Sequence, residues 1–142
     1  MILVDLNILL YAVNSGCPEY GAAFGWLRTT LEKGQDPIGL AWVVILGFLR
    51  LSTSARLFPR PLGSDEASRF IEALLAHRQV RSVLPGEGHW PLLRHLLTLC
   101  GSGGNLVNDA HLAAFALEHD ARIATRDTDF TRFPGIRILK PF

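Results

Sequence analysis

The segment from Leu106 to Ala116 constrains the fold more than any other part of the sequence, because it predicts a helix that is apolar nearly all round. A helix with almost no polar face is typical of the buried centre of a protein. Asp109 lies near its start, and Asn108 is the predicted N-cap. A carboxylate at the edge of a core needs a helix-end dipole, an ionic partner or a metal ion to offset its lost hydration.

Short apolar runs alternate with helical patterns along the rest of the chain. The sequence predicts five strands, at residues 2–4, 37–40, 80–84, 121–125 and 136–139. With the helices between them, the predicted order is β-α-α-β-α-α-β-α-α-β-β, and the third strand lies near an edge because its residues alternate between apolar and polar. This order predicts an α/β fold, a three-layer sandwich with a central, mostly parallel sheet flanked by helices. A glycine-rich turn is predicted at residues 101–104.

Length and composition fit one compact domain spanning residues 1–142, in which 49% of residues are hydrophobic and 19% are charged. The net charge of +1 provides no basic tail, so any surface for nucleic acid has to be local. Cys17 and Cys100 form no CxxC pair, and we expect reduced thiols in a cytoplasmic protein. The longest apolar run, residues 39–49, is too short to span a membrane, and the N-terminus does not resemble a signal peptide.

Four acids are predicted to meet at one edge of the sheet. Asp5 ends the first strand, Asp127 and Asp129 follow the fourth, and Asp109 begins the helix that leads into the fourth. The carboxyl ends of parallel strands form the usual functional crevice of such sheets, so the acids converge if the first and fourth strands are neighbours. Carboxylates held together raise one another's pKa, and Mg²⁺ or Mn²⁺ would relieve their repulsion.

Histidine does not point to a zinc site, because the five histidines lack the spacing of known zinc motifs. His111, two residues after Asp109, is predicted to be a core or helix-surface residue.

Four sequence motifs resemble those of the PIN-domain nucleases, and in particular the VapC toxins of bacterial VapBC toxin–antitoxin pairs. The motifs occur in the family's order and spacing over essentially the whole chain, and they are Val4–Tyr11, Phe48–Arg50, Asn108–Ala113 and Thr125–Phe130.

The resemblance implies a PIN-like sandwich and a Mg²⁺-dependent endoribonuclease that acts on structured RNA such as tRNA or ribosomal RNA. It also implies a homodimer and inhibition by a cognate VapB-like antitoxin. The acids that match the catalytic, metal-binding positions of the family are Asp5, Asp109, Asp127 and Asp129. Candidates for contacts with the RNA backbone are Arg50, Arg56, Arg60 and Arg126.

Gly47 is a departure from the family, which usually has a glutamate three residues before the arginine that Arg50 matches. Either the four remaining acids suffice, because Mg²⁺ normally keeps several waters, or the chain is a catalytically weakened module that binds RNA or a protein partner. Helical spacing places position 47 toward the acids. A receiver-like domain is a weaker alternative, because the only lysines, Lys33 and Lys140, are not placed for that chemistry.

Overall fold

Five parallel strands form one sheet in the order β3-β2-β1-β4-β5 in the computed structural model, which describes residues 1–101, 104 and 106–142. The strands are β1 (Ile2–Val4), β2 (Ile38–Ala41), β3 (Val80–Val83), β4 (Arg122–Ala124) and β5 (Arg137–Leu139). The predicted strand order along the chain is confirmed, and β3 lies at an edge as predicted. The predicted turn at 101–104 falls partly outside the described residues.

Six helices flank the sheet and complete the predicted α/β sandwich. They are α1 (Leu6–Val13), α2 (Tyr20–Lys33), α3 (Trp42–Ser52), α4 (Ser64–Leu75), α5 (His89–Cys100) and α6 (Leu106–Glu118). A short 3₁₀ helix, Asp129–Arg132, was not predicted. Among these described helices, none has the length and apolar character needed to cross a membrane. Cys17 and Cys100 are free thiols.

Helix α6 is buried, as its apolar sequence predicts, and Ala110, Ala113 and Phe115 are almost completely inaccessible to solvent. The prediction that Asn108 is the N-cap is wrong, because the helix begins at Leu106. The amide of Val107 already donates to the carbonyl of Gly104 at 3.2 Å, so the first turn forms before Asn108 is reached. Asp109 remains in the first turn, where the helix dipole favours a negative charge.

Strand β1 is the centre of the sheet and sets the position of everything at its carboxyl edge. It pairs with β2 on one side and β4 on the other, and Leu3 and Val4 are fully buried. The neighbouring Gly39 of β2 leaves no room for a side chain, because a Cβ atom there would lie 2.6 Å from Cδ2 of Leu3. The close packing of the sheet centre therefore depends on this glycine.

We expect Gly39→Ala to lower the free energy of unfolding by about 1–3 kcal/mol, because overfilling a packed core forces the surrounding side chains to shift. Urea unfolding monitored by circular dichroism would measure the change. Gly25→Ala in α2 is the matched control: a Cβ there meets nothing within 4 Å, so alanine should stabilise the helix by about 0.5–1 kcal/mol. Equal stabilities for Gly39→Ala and the unchanged protein would contradict this account of the sheet centre.

Candidate active site

Asp5 is held in one orientation by hydrogen bonds to both of its carboxylate oxygens. Its Oδ1 accepts from the backbone amide of Leu6 at 2.7 Å and so caps helix α1. Its Oδ2 accepts from the Asn7 side-chain amide at 2.7 Å and from the Thr125 hydroxyl at 2.6 Å. The residue is only 8% exposed, and burial raises its pKa although the bond from Thr125 opposes this. Asp5 is therefore a fixed, partly desolvated acid at the end of β1.

Thr125, the residue after β4, connects Asp5 to the next acidic segment. The Thr125 hydroxyl donates a hydrogen bond to Asp5. Its oxygen also accepts hydrogen bonds from the backbone amide of Asp127 at 2.9 Å and from the side-chain amide of Asn7 at 3.1 Å. One hydroxyl can donate once and accept twice, so its capacity is fully used. Neither Thr125 nor Asn7 is among the site residues predicted from the sequence. The available signal was their position, since Thr125 directly follows β4 and Asn7 lies in the first turn of the helix that follows β1.

Three carboxylates form a tight cluster beside Asp5. Asp109, Asp127 and Asp129 each contribute an oxygen, and these oxygens all lie within 4.8 Å of one another. The cluster is shaped locally, because the amide of Asp129 donates to Oδ1 of Asp127 at 2.8 Å where the 3₁₀ helix begins. Burial and then repulsion by Asp5, Asp127 and Asp129 raise the pKa of Asp109 to about 6.

The four predicted acids therefore occupy one edge of the sheet, but Asp5 is placed differently from the other three. Asp5 lines the same cavity as Asp109 and Asp127, yet it is not part of the group whose oxygens lie within 4.8 Å of one another. Three clustered carboxylate oxygens are a donor set suited to a hard divalent cation, which would neutralise the repulsion between them.

Asp5, Asp109 and Asp127 line a cavity of about 550 Å³ between α1, α3 and α6. Most of the rest of its lining is apolar, and Arg50 is its one cationic residue among those the structure describes. The structure places Gly47 in this lining, as helical spacing predicts. A Cβ atom at position 47 would lie 2.7 Å from Cδ2 of Leu6, so the side chain of Leu6 occupies the space beside the glycine.

The predicted RNA-binding arginines do not lie together. Arg50 lines the cavity, whereas Arg56 and Arg60 are exposed in the segment between α3 and α4 and are not in the lining. Arg126 is exposed and donates to the backbone carbonyl of Phe142, and its guanidinium lies 5.3 Å from the centre of the Phe142 ring. The structure thus brings one of these four arginines to the cavity.

His111 belongs to a separate polar network, in agreement with its prediction as a core or helix-surface residue. Its Nδ1 lies 2.8 Å from Nε2 of His89, whose Nδ1 lies 2.9 Å from a carboxylate oxygen of Glu118. Burial and the neighbouring His89 lower the pKa of His111. The network links the start of α5 to α6, and His111 is not in the cavity lining.

Comparison with known proteins defines the class. The PIN domain family matches residues 2–136. A solved structure of VapBC2 from Rickettsia felis, bound to a DNA fragment from its promoter, superposes with a TM-score of 0.70 at 19% identity, covering 98% of each chain, and so shares the fold.

Two curated relatives identify the branch of the PIN-domain family to which the chain is similar. Ribonuclease VapC37 of Mycobacterium tuberculosis is 45% identical over 99% of this chain and 97% of its own length. Ribonuclease VapC33 of the same species is 37% identical over 99% of this chain and 98% of its own length. The chain belongs to the PIN-domain family and, within it, to the VapC ribonucleases.

The raised pKa of Asp109 makes the stability of the metal-free protein depend on pH. Its folded value of about 6 exceeds the ordinary value of 3.8, so its contribution to stability is fully present below the unfolded pKa and is lost as pH rises through about 6. Asp109→Asn removes this loss. In EDTA, raising the pH from about 4 to 8 should increase the free energy of unfolding of the variant, relative to that of the unchanged protein, by on the order of 1–2 kcal/mol. This figure is smaller than the full pKa shift would give, because the side chain is partly solvated.

Urea unfolding at both pH values measures this gain. Glu72→Gln, which changes an exposed acid on α4, is the control and should shift stability by the same amount at both pH values. A stability difference between Asp109→Asn and the unchanged protein that is the same at both pH values would show that the pKa of Asp109 is not raised in the folded protein.

The contact between Leu6 and Gly47 gives a second prediction. Gly47→Glu should add an acid to the cluster, but its Cβ requires Leu6 to move. We therefore expect Gly47→Glu to destabilise the metal-free protein, and Leu6→Ala to restore part of that loss with a coupling of about 0.5–3 kcal/mol. A double-mutant cycle on melting in EDTA measures the coupling, and additive effects would show that the two residues are not in contact.

Proposed function

We propose that this protein is a Mg²⁺-dependent endoribonuclease, the toxin of a VapBC-type toxin–antitoxin pair, which hydrolyses phosphodiester bonds in structured RNA such as tRNA or ribosomal RNA. The observation that carries the proposal is the cluster of Asp109, Asp127 and Asp129, whose oxygens lie within 4.8 Å of one another. Asp109 and Asp127 also line an open cavity together with Asp5. Full-length identity of 45% to a protein named Ribonuclease VapC37 supports the same class of reaction.

The acids would hold Mg²⁺, or Mn²⁺ in its place, with Asp109, Asp127 and Asp129 as the clustered donors and Asp5 beside them. An ion held by these acids would supply a water molecule of lowered pKa and charge to neutralise the phosphodiester. The protein's own part is to orient the donors: Thr125 and Asn7 fix the carboxylate of Asp5, and the Asp129 amide fixes that of Asp127. By analogy with the family, the products carry a 3′-hydroxyl and a 5′-phosphate.

Arg50 is the side chain best placed to contact the RNA backbone, because it is the cationic residue in the described cavity lining. Arg56 and Arg60 would contact more distant phosphates from their exposed segment. Arg126 would have to leave the carbonyl of Phe142 to do the same.

The partner is, in this proposal, a VapB-like antitoxin, and the active form of the toxin is a homodimer. The support is that the curated relatives carry VapC names and that the R. felis neighbour was solved as a VapBC complex. The antitoxin would block the cavity by covering its acids.

Substitution of a clustered acid tests the proposal. We expect Asp109→Asn to abolish Mg²⁺-dependent cleavage of total RNA, because it removes a donor from the metal set, and to abolish the rise in melting temperature that millimolar Mg²⁺ gives the unchanged protein. The fold should survive, since the substitution relieves repulsion. Asp65→Asn, an exposed acid on α4, is the control and should leave both readouts unchanged.

The absence of a side chain at Gly47 supports one alternative function, that of a catalytically weakened PIN module that binds RNA or a protein partner. Leu6 fills the space beside position 47, where the family usually provides an acid. The same assay separates the two functions: RNA that stays intact with Mg²⁺ and Mn²⁺, while the protein still binds it, would establish the weakened module and refute the nuclease.

A further inference from the structure

The active-site cavity has an apolar surface that its acids do not explain. Leu6 and Leu10 of α1 and Val43 and Leu46 of α3 line the same space as Asp5, Asp109 and Asp127. Leu46 is 58% exposed although it lies in a cleft. Apolar side chains beside a set of acids add nothing to cation binding, so they are available to a different part of the substrate.

Gly47 makes this apolar surface continuous. Because position 47 has no side chain, Leu6 packs directly against the backbone of α3, where a Cβ would lie only 2.7 Å from its Cδ2. An acid at position 47 would divide Leu6 and Leu10 of α1 from Val43 and Leu46 of α3. In this chain hydrocarbon takes that place, next to the exposed Leu46.

The charge of the cavity shows what it can attract. Three acids and the single cation Arg50 line it among the described residues, so its side chains supply little direct attraction for phosphate beyond what a bound cation would give. Affinity for a nucleotide within the cavity therefore has to come from burial of an apolar part. In RNA the large apolar surface is the face of a base, which is accessible only where the base is unpaired.

We propose that Leu6, Leu10, Val43 and Leu46 form a subsite for one unpaired nucleobase next to the phosphodiester that faces the acids. The proposal rests on the proposed ribonuclease function and extends it to a substrate feature. A volume of about 550 Å³ lies within the roughly 300–1,000 Å³ typical of sites for small ligands, so it suits one nucleotide and not a duplex. These four side chains carry no hydrogen-bonding groups, so they accept any of the four bases.

An abasic scan of the substrate tests the subsite. A short single-stranded oligoribonucleotide is prepared with a base-free ribose at one position at a time, and kcat/KM is measured with Mg²⁺ for each. At the position next to the scissile bond, loss of the base should lower kcat/KM about tenfold for the unchanged protein, as expected for loss of one buried base.

Substitution of Leu46 identifies the surface that the base contacts. In Leu46→Ala the abasic penalty should fall to about twofold or less, and in Leu46→Phe it should exceed tenfold because an aromatic ring stacks on a base better than leucine does. Leu99→Ala is the matched control: Leu99 is also helical and is 55% exposed, but it is outside the cavity lining, so its penalty should equal that of the unchanged protein.

The outcomes separate this proposal from the function on which it rests. Metal-dependent cleavage with an equal abasic penalty in Leu46→Ala and the unchanged protein, or with no penalty at any position, would overturn the subsite and leave the nuclease intact. An unchanged penalty combined with weaker binding of the VapB-like antitoxin by Leu46→Ala would assign the leucines to a protein interface instead. Failure of the unchanged protein to cleave both the intact oligonucleotide and total RNA with Mg²⁺ would refute the proposed function itself. Cleavage of total RNA without cleavage of the oligonucleotide would overturn the subsite, because an unpaired base next to the phosphodiester would then not be what the cavity recognises.

Discussion

The hydrogen bond from the Thr125 hydroxyl to the Asp5 carboxylate, 2.6 Å long, joins the two strands on which the whole site depends. Parallel pairing of β1 with β4 places Val4 opposite Ala124, so the residues that follow, Asp5 and Thr125, leave the sheet side by side. The Asp5 carboxylate then caps α1. The Thr125 hydroxyl accepts a hydrogen bond from the backbone amide of Asp127 and so positions the segment that carries Asp127 and Asp129. A shift in this register would separate Asp5 from Thr125 and so from the acidic segment that Thr125 positions.

The same arrangement brings negative charges together where two of the carboxylates, those of Asp5 and Asp109, are partly desolvated. Asp5 is nearly buried and Asp109 has its pKa raised to about 6, so the metal-free fold contains carboxylates that would be more stable in water. Small residues on α6 make this possible, because Ala110, Ala113 and Ala114 let the helix lie deep in the core with its first turn at the site. The local electrostatic strain is then a property of the fold that a bound cation would relieve.

Sequence reasoning could place the acids at one edge of the sheet, because the alternation of strands and helices determines where strand ends and helix starts lie. It could not determine which side chains touch. Asp129 joins Asp109 because an unpredicted 3₁₀ turn begins there, while both oxygens of Asp5 are used by its neighbours. Arg126 is adjacent to the site in sequence, yet its guanidinium turns to Phe142. Such choices depend on side-chain geometry, which spacing alone does not contain.

Gly47 shows how one missing side chain can change the character of a site without changing its fold. Its loss of a carboxylate would be expected to leave a void, and a void beside charged groups would fill with water. Instead Leu6, on a different helix, reaches the α3 backbone, so hydrocarbon fills the space where the resemblance to the family implies an acid. The three clustered carboxylates lie on α6 and on the segment after β4, not on α3, so this exchange leaves them in place. Departure from the family at position 47 therefore alters what the cavity can bind beside the acids while preserving the acids themselves.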